Sequence, residues 1–302
     1  MTVLAHLSFH EASGLGFRRS LFLPTTSTQY MKITSLGNGG AFATMDEGNS
    51  SFLIEHNNKK LLFDCGTTTP YILRDEFKIP FTDIDAVYIS HIHGDHMGGL
   101  EMLAHSRYYI PKTDENGKRI RPKLFGHPDV MDELDTALMH GLEAFYDGRG
   151  ITVDDYFDRD AMPNYKSFVW QGIRFQYQFS RHMPLFKQQA GSMYDDQFKS
   201  NYGLWFVSDN GNRVLFTSDC MEPHDLCEQS DIVIHDAKNH GKVVGGNHCH
   251  FSELTKHWRN KKLKTDLFLT HYGKPWSLET GLEGIDPDVD IKFFAKTLNL
   301  IV

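Results

Sequence analysis

The stretch SHIHGDHMGG, residues 90 to 99, puts three histidines and an aspartate into six consecutive positions behind an apolar run. His91 and His93 stand two apart. On a strand that continues through them, side chains at that spacing leave the same face, so both imidazoles can share one ion. Asp95 and His96 fall where the chain turns towards a helix and address a neighbouring spot. One short segment can therefore serve two adjacent metals. HxH alone is weak; HxHxDH at a strand end is a specific pattern.

A catalytic zinc pair needs further imidazole and carboxylate donors, with a position left open for water. Three other stretches end in a suitable donor just after an apolar strand: FQYQFSRH at His182, VLFTSD at Asp219 and LFLTH at His271. Taken singly, each is more simply a structural histidine or a turn aspartate. Taken in order, each after a strand, they read as a ligand set. His56, His105, His127, His140, His224 and His257 keep the simpler reading, as surface or capping residues.

These donors need strands to carry them. MKITSL (31–36), the two halves of SFLIEHNNKKLLFDCG (51–66) and AVYIS (86–90) read as strands, with a hairpin at Asn57-Asn58. In IRFQYQF (173–179), Ile173, Phe175, Tyr177 and Phe179 alternate with Arg174, Gln176 and Gln178, which predicts a strand with one buried face. YGLWFVSDNGNRVLFTSD (202–219) reads as a hairpin closed by Asn210-Gly211, and DIVIHDA (231–237) and TDLFLTH (265–271) as further strands. Leu100, Leu103 and Ala104 repeat at helical spacing, so a helix is expected from Asp95. Further helices are expected over 128–145, with Pro128 at its start, and over 252–262, with Ser252 as N-cap. Alternating strands and helices argue for one layered α/β domain over 31–302.

The 302 residues are 40% hydrophobic and 23% charged, ordinary values for a globular protein, while 17 histidines are an excess. Net charge is −8, which disfavours a protein that grips long nucleic acid through phosphates. Cys65, Cys220, Cys227 and Cys249 form no CxxC pair, as suits a reducing compartment. No apolar run reaches the roughly 18 residues of a membrane span. Residues 1–30 end in a Pro/Thr/Ser cluster and read as a dispensable extension ahead of Met31.

From Met31 to about His271 the ordered motifs resemble the metallo-β-lactamase superfamily. That resemblance implies a four-layer αββα sandwich with metals at one edge between two sheets. It implies His91, His93 and His182 on one metal, and Asp95, His96 and His271 on a second. Asp219 would bridge the two. Two Zn²⁺ are the implied ions, with Mn²⁺ as the alternative.

Within the superfamily, LGNGGAF, LLFDCG and NYGLWFVSDNGNRVLFTSD look like the RNase Z branch. HCHFSEL (248–254) resembles that branch's extra His-x-Ser/Thr motif, with His250 as its histidine and Ser252 as its hydroxyl residue. The implied role of His250 is to bind the phosphate or protonate the leaving oxygen. Asp236 would orient it, although the branch more often has Glu there. The catalytic set on this reading is His250, Asp95 and Asp236. The plainer alternative is that His248 and His250 merely flank a helix N-cap.

RNase Z enzymes carry a long basic arm after the third histidine motif. Here 19 residues, Met183 to Asn201, fill that interval, with Lys187 and Lys199 balanced by Asp195 and Asp196. A tRNA 3′-processing endonuclease is therefore the alternative, and a small phosphodiester the better fit. ISHIHGDHMGGLE and LGNGGAF are similar to motifs of phage anti-Pycsar proteins, which share the core without the arm and cleave cyclic nucleotides. That likeness implies degradation of a cyclic nucleotide immune signal in the host cytoplasm, by a homodimer whose partner loop completes the site. The 187–200 segment, with Tyr194 and Phe198, is either that loop or a plain surface loop. A thioester or lactone hydrolase would share the metal set but has no use for the His250/Ser252 motif. Diiron flavoproteins of this fold need a carboxylate at the position of His93. A protein that sequesters nucleotide without cutting it would not need a complete ligand set.

Overall fold

A computed structural model describes residues 30–142, 144–146, 149–159, 164–183, 198–238, 246–272, 289–294 and 296–302. The proposed extension, Tyr30 apart, and most of the 187–200 segment lie outside the described residues. Strands β1 (Lys32–Gly37), β2 (Ser51–His56), β3 (Lys59–Phe63), β4 (Ala86–Tyr88), β5 (Lys112–Thr113), β6 (Arg119–Ile120), β7 (Lys123–Phe125), β8 (Ala144–Tyr146) and β9 (Arg149–Ile151) form the first part. The second part holds β10 (Ser167–Trp170), β11 (Ile173–Phe179), β12 (Tyr202–Val207), β13 (Arg213–Phe216), β14 (Ile232–Asp236), β15 (Asp266–Thr270), β16 (Ile291–Phe293) and β17 (Asn299–Ile301). The helices are α1 (Thr69–Asp75), α2 (Gly94–Met97), α3 (Leu100–Tyr109), α4 (Pro128–Leu142), α5 (Val153–Tyr156) and α6 (Phe251–Lys261).

One sheet has the order β17-β1-β2-β3-β4-β7 and the other runs β10 through β16 in sequence; β5/β6 and β8/β9 are separate small hairpins. Alternate residues along the strands sort into different cores. Phe52 and Ile54 of β2 and Ala86 and Tyr88 of β4 pack between the sheets, against Phe175, Phe206, Val214 and Phe216. The residues between them, Leu53 and Val87, face outwards and pack on Leu73, Leu103 and Leu134 of α1, α3 and α4. On the far side Leu215, Val233 and Leu267 pack on Leu254 and Trp258 of α6. Both faces of these strands are buried, which is why they read as apolar runs rather than alternations. The result is the αββα sandwich of the metallo-β-lactamase fold.

Aromatic rings couple the two sheets beneath the site. Phe216 of β13 lies 4.8 Å from Phe63 of β3 and 5.1 Å from Phe52 of β2. Such pairs are worth about 0.5–1.5 kcal/mol each beyond the area they bury. The Phe63–Phe216 pair ties together β3 and β13, two strands whose carboxyl ends border the site.

Several local expectations hold. Asn57 and Asn58 close β2 and β3 with φ of 50° and 59°, the left-handed pair a two-residue hairpin demands. Others need correction. The helix expected from Asp95 is two helices, α2 and α3, separated by Gly98 and Gly99. A Cβ on Gly99 would sit 2.4 Å from the Gly66 carbonyl, so the chain needs glycine to pass there. The helix expected over 128–145 ends at Leu142. The last helix begins at Phe251 with His250, not Ser252, as its N-cap. The buried face of β11 fades towards the rim: Phe175 is fully buried and Phe179 is 46% exposed.

Candidate metal centre

Every proposed donor lies just beyond a strand's carboxyl end or on the short helix after it. β4 leads to His91 and His93, and α2 carries Asp95 and His96. β11 leads to His182, β13 to Asp219 and β15 to His271. The strands β3, β4 and β7 run parallel, as do β13, β14 and β15, so their carboxyl ends share one edge of the sandwich. In open α/β sheets such ends are where ligands bind.

The structure brings all seven proposed ligands together. One group comprises His91, His93, His182 and Asp219, with donor atoms within 4.8 Å of one another, and another comprises Asp95, His96 and His271. In the first, His93 Nδ1 lies 3.0 Å from His91 Nε2 and 3.2 Å from His182 Nε2. In the second, His271 Nε2 lies 3.1 Å from Asp95 Oδ2 and 3.4 Å from His96 Nε2. Asp219 stands between them. Its Oδ2 is 3.3 Å from His182 Nε2 and 3.7 Å from His91 Nε2. Its Oδ1 is 3.2 Å from His96 Nε2 and 3.3 Å from His271 Nε2.

The chemistry of this set fits cations. Asp219 Oδ1 is buried without a hydrogen-bond partner among the described residues. Nitrogens of several imidazoles converge on one another, an arrangement that lone pairs avoid unless something positive lies between them. The outer nitrogens are anchored. His96 Nδ1 lies 2.8 Å from Asp64 Oδ2, and His182 Nδ1 lies 2.8 Å from the Asn247 carbonyl. Anchoring Nδ1–H in this way leaves the Nε2 lone pair facing inwards, the tautomer a ligand requires. Asp64, Asp95 and Asp219 are all buried. Three carboxylates together in a dry edge call for positive charge.

Charge states follow from burial and neighbours. Burial, aided by the positive field of His96, holds His91 well below its ordinary range. Burial and His182 bring His93 down to about 4. Both are therefore neutral imidazoles, as ligation needs. Burial works against ionisation of Asp95, but His96 and His271 outweigh it and hold the carboxyl at about 2. Burial likewise opposes a charge on His96, yet Asp219, Asp64 and Asp95 push it well above its usual value.

Asp64 was not singled out by the sequence reading. It is 1% exposed, and it accepts from Ser90 N and Ser90 Oγ, each at 2.8 Å, besides holding His96. Its φ of 59° is left-handed, and Ser218 (55°) and His271 (60°) share that rare conformation. Such backbone persists only where the surroundings over-determine it, and it clusters at functional sites. The signal available in sequence was an aspartate directly after the LLF strand.

The pair assigned from the His-x-Ser/Thr resemblance is arranged differently from the expectation. Asp236 Oδ2 lies 2.9 Å from His248 Nδ1, so the orienting carboxylate meets His248 rather than His250. His248 also faces the metal cluster, with its ring 5.0 Å from that of His182 and 4.7 Å from that of His271. Burial opposes its charge, but Asp236 and Asp219 outweigh that and lift it to about 9. His250 Nδ1 instead accepts from the Ser252 amide and lies 2.8 Å from Ser252 Oγ, capping α6. Asp236 thus meets a histidine two residues earlier than expected, and His250 takes the capping position that a hydroxyl residue would fill. Asp236 also accepts from the Cys220 amide at 2.8 Å, which fixes it beside Asp219.

Among the remaining histidines, His224 caps a short turn by accepting from the Leu226 amide, as a capping residue should. His56 is buried rather than on the surface, while His127, also buried, caps the start of α4 by accepting from the Asp129 amide at 3.3 Å. His56 pairs with Asp209 at 3.1 Å, and His127 stacks on Tyr202 at 3.7 Å. The four cysteines are free and buried.

Comparison with known proteins agrees with this fold. Among solved structures, the metallo-beta-lactamase fold protein YhfI from Bacillus subtilis is 18% identical with a TM-score of 0.66, covering 90% of this chain and 99% of that one. A diphosphatase from the PhnP family is 16% identical with a TM-score of 0.64, covering 90% and 98%. Among sequences, the Anti-Pycsar protein Apyc1 of Bacillus phage vB_BveM-Goe7 is 28% identical over 248 residues, spanning 80% of this chain and 89% of that protein. The Anti-Pycsar protein Apyc1 of Paenibacillus harenae is 29% identical over 223 residues, spanning 69% and 82%. The family profile described as Anti-Pycsar protein Apyc1 matches residues 31–285, a span that carries all seven donors together with Asp64, Asp236 and His248. The chain belongs to the Anti-Pycsar protein Apyc1 family.

Proposed function

We propose that this metal-dependent phosphodiesterase hydrolyses 3′,5′-cyclic nucleotides at a two-metal centre. The observation that carries the reading is the split of Asp219, with one oxygen towards His91 and His182 and the other towards His96 and His271. Such a carboxylate suits two adjacent cations. His91, His93 and His182 would hold the first and Asp95, His96 and His271 the second. Imidazole with carboxylate suits zinc and also accepts manganese. When bound, such a pair supplies an activated water near neutral pH and offsets charge on the phosphoryl oxygens.

The chain's own residues do the rest. Asp219 sets the spacing of the two half-sites, and Asp64 keeps His96 in its ligating tautomer. One P–O bond of the cyclic phosphate breaks, the oxygen of water joins phosphorus, and a proton goes to the leaving ribose oxygen. His248 is the donor of that proton, held by Asp236. General acid assistance of this kind contributes about 10²–10⁴-fold. His250 and Ser252 support it indirectly, by starting α6 immediately behind His248.

The names of the similar proteins and the absence of a basic arm support a small cyclic substrate over a tRNA precursor. No helix among the described residues is long and apolar enough to cross a membrane; the phage and bacterial sources of the similar proteins are what support action in the cytoplasm. A homodimer is the expected assembly, checked by light scattering. The decisive experiment loads the protein with zinc or manganese and offers cyclic mononucleotides, cyclic dinucleotides, a tRNA precursor and a thioester. Mass spectrometry should find linear nucleotide from the cyclic substrates. Cleavage of the tRNA or thioester alone would overturn the reading.

A further inference from the structure

The loop between β1 and β2 borders the second metal group. Gly40 lies so close to His271 that a Cβ there would sit 2.9 Å from the ring's Cε1. Asn38 Nδ2 bonds the Tyr272 hydroxyl, and Asn49 Nδ2 donates to the Gly40 carbonyl at 3.0 Å. Gly39 and Gly48 are joined through their backbones at 2.8 Å, and Lys296 Nζ donates to the Met45 carbonyl at 2.9 Å. The Ala43 amide donates to the Gly40 carbonyl at 3.0 Å, so residues 40–43 form a turn with Phe42 at its third position.

Phe42 is 100% exposed at this crown. A lone exposed apolar residue is common and by itself says little. Two facts separate this one. Its loop is tied down at both ends by the bonds above, so the ring is presented rather than merely left out. Its backbone is two residues from Gly40, and two residues span at most about 7 Å, so it stands close beside the His271 side of the cluster. Among the described residues, two other exposed aromatics near the strand ends are already engaged. Tyr165 packs edge-on against His127 at 5.4 Å, and Phe179 against Tyr202 at 5.6 Å.

We infer that Phe42 is the platform on which the substrate's nucleobase stacks while the phosphate occupies the metal centre. A cyclic nucleotide carries its base one ribose away from phosphorus, and the crown of this loop stands beside the His271 half of the cluster. A phenyl face accepts any base, so the contact gives affinity for nucleotides over bare phosphodiesters with little choice among bases. Phe42 would be a binding residue, with no part in bond breaking.

This inference rests on the cyclic nucleotide reading, and the test separates the two. Wild type, Phe42→Ala and Phe42→Trp are compared on a cyclic mononucleotide and on trimethylene phosphate, a six-membered cyclic phosphodiester without ribose or base, followed by phosphorus NMR. Phe42→Ala should raise KM for the nucleotide about 10-fold with kcat kept, consistent with the usual worth of a base–aromatic stack. It should leave trimethylene phosphate turnover unchanged, and Phe42→Trp should keep the wild-type KM. If wild type fails on cyclic nucleotides, the functional reading falls and this one with it. If wild type is active but Phe42→Ala has an unchanged KM, weakens both substrates alike or alters the oligomeric state, the platform alone is overturned.

Discussion

His248 Nδ1 lies 2.9 Å from Asp236 Oδ2, while His250, two residues on, caps α6. The two histidines of HCHFS therefore do different work, and their variants should separate. His248→Ala should lose about 10²–10⁴-fold in turnover, the usual worth of a general acid, with its metal content kept. His250→Ala should keep turnover and lose about 1 kcal/mol of stability, the usual cost of a missing N-cap. His250→Thr, which installs a good cap, should restore that stability. Denaturant midpoints, metal analysis and single-turnover rates check all three. A large rate loss in His250→Thr with full stability would return the acid role to His250.

Asp64 poses a sharper test, because its replacement can be nearly isosteric. The carboxylate accepts from Ser90 and holds Nδ1 of His96. In Asp64→Asn an amide nitrogen can face His96 Nδ1, making that nitrogen the acceptor and placing the proton on Nε2. The inward lone pair is then gone. Affinity for the second metal should fall about 10–100-fold, as is usual when an outer partner of a ligand is lost. Metal analysis should then find the second ion missing after dialysis, with the first retained. Two ions per chain in a folded Asp64→Asn would show that the contact does not set the tautomer.

The convergence of the seven donors was legible because each sits just beyond an apolar strand or on the short helix after one, a relation that survives in one dimension. Asp64 escaped for the opposite reason: its partners Ser90 and His96 lie 26 and 32 residues away, and only the pairing of β3 with β4 brings them together. The His248/His250 assignment failed on a two-residue shift, because histidine can cap a helix as serine does and the chain holds one at each position. Short edge elements such as β10 and β17 were missed. β17 exists through pairing with β1, some 265 residues away, and carries little pattern of its own. His56 reads as a surface or capping residue because a lone histidine has no period; its burial depends on Asp209, which reaches it from the turn after β12.

Asp85 offers a pH test remote from the metals. It accepts from Lys59 Nζ at 3.0 Å, the Lys60 amide at 3.1 Å and Lys112 Nζ at 3.3 Å. Partial burial opposes its charge, but those three donors win and hold its pKa below the ordinary value. A carboxyl depressed in the folded state stabilises above its unfolded pKa of about 4, and that gain is lost as pH falls through the folded value. Asp85→Asn should therefore cost about 1 kcal/mol at pH 7, within the range of a hydrogen-bonded charge near the surface. The gap between variant and parent should close as pH falls through and below the ordinary carboxylate range. Urea midpoints across pH measure it, and a gap that stays constant would exclude the ionic account.

Ser218, the residue before Asp219, combines two costs that one substitution removes. Its φ of 55° is left-handed, which costs a non-glycine residue about 1–2 kcal/mol. Its Oγ is also buried with no hydrogen-bond partner among the described residues, a further penalty of about 1–3 kcal/mol. Glycine relieves both, against an unfolded-state entropy cost of about 0.5–1 kcal/mol. The balance favours Ser218→Gly by at least about 1 kcal/mol, or roughly 2 °C or more in Tm for a chain of this size. The hydrogen bond that the Thr217 hydroxyl donates to the Ser218 carbonyl, at 2.8 Å, does not involve the side chain removed. Asp219 should thus keep its place, and kcat should change little. Calorimetry of the metal-loaded protein decides the point. A lower Tm would mean that the hydroxyl gains a partner once the site is loaded, making Ser218 part of the centre rather than a strained neighbour of it.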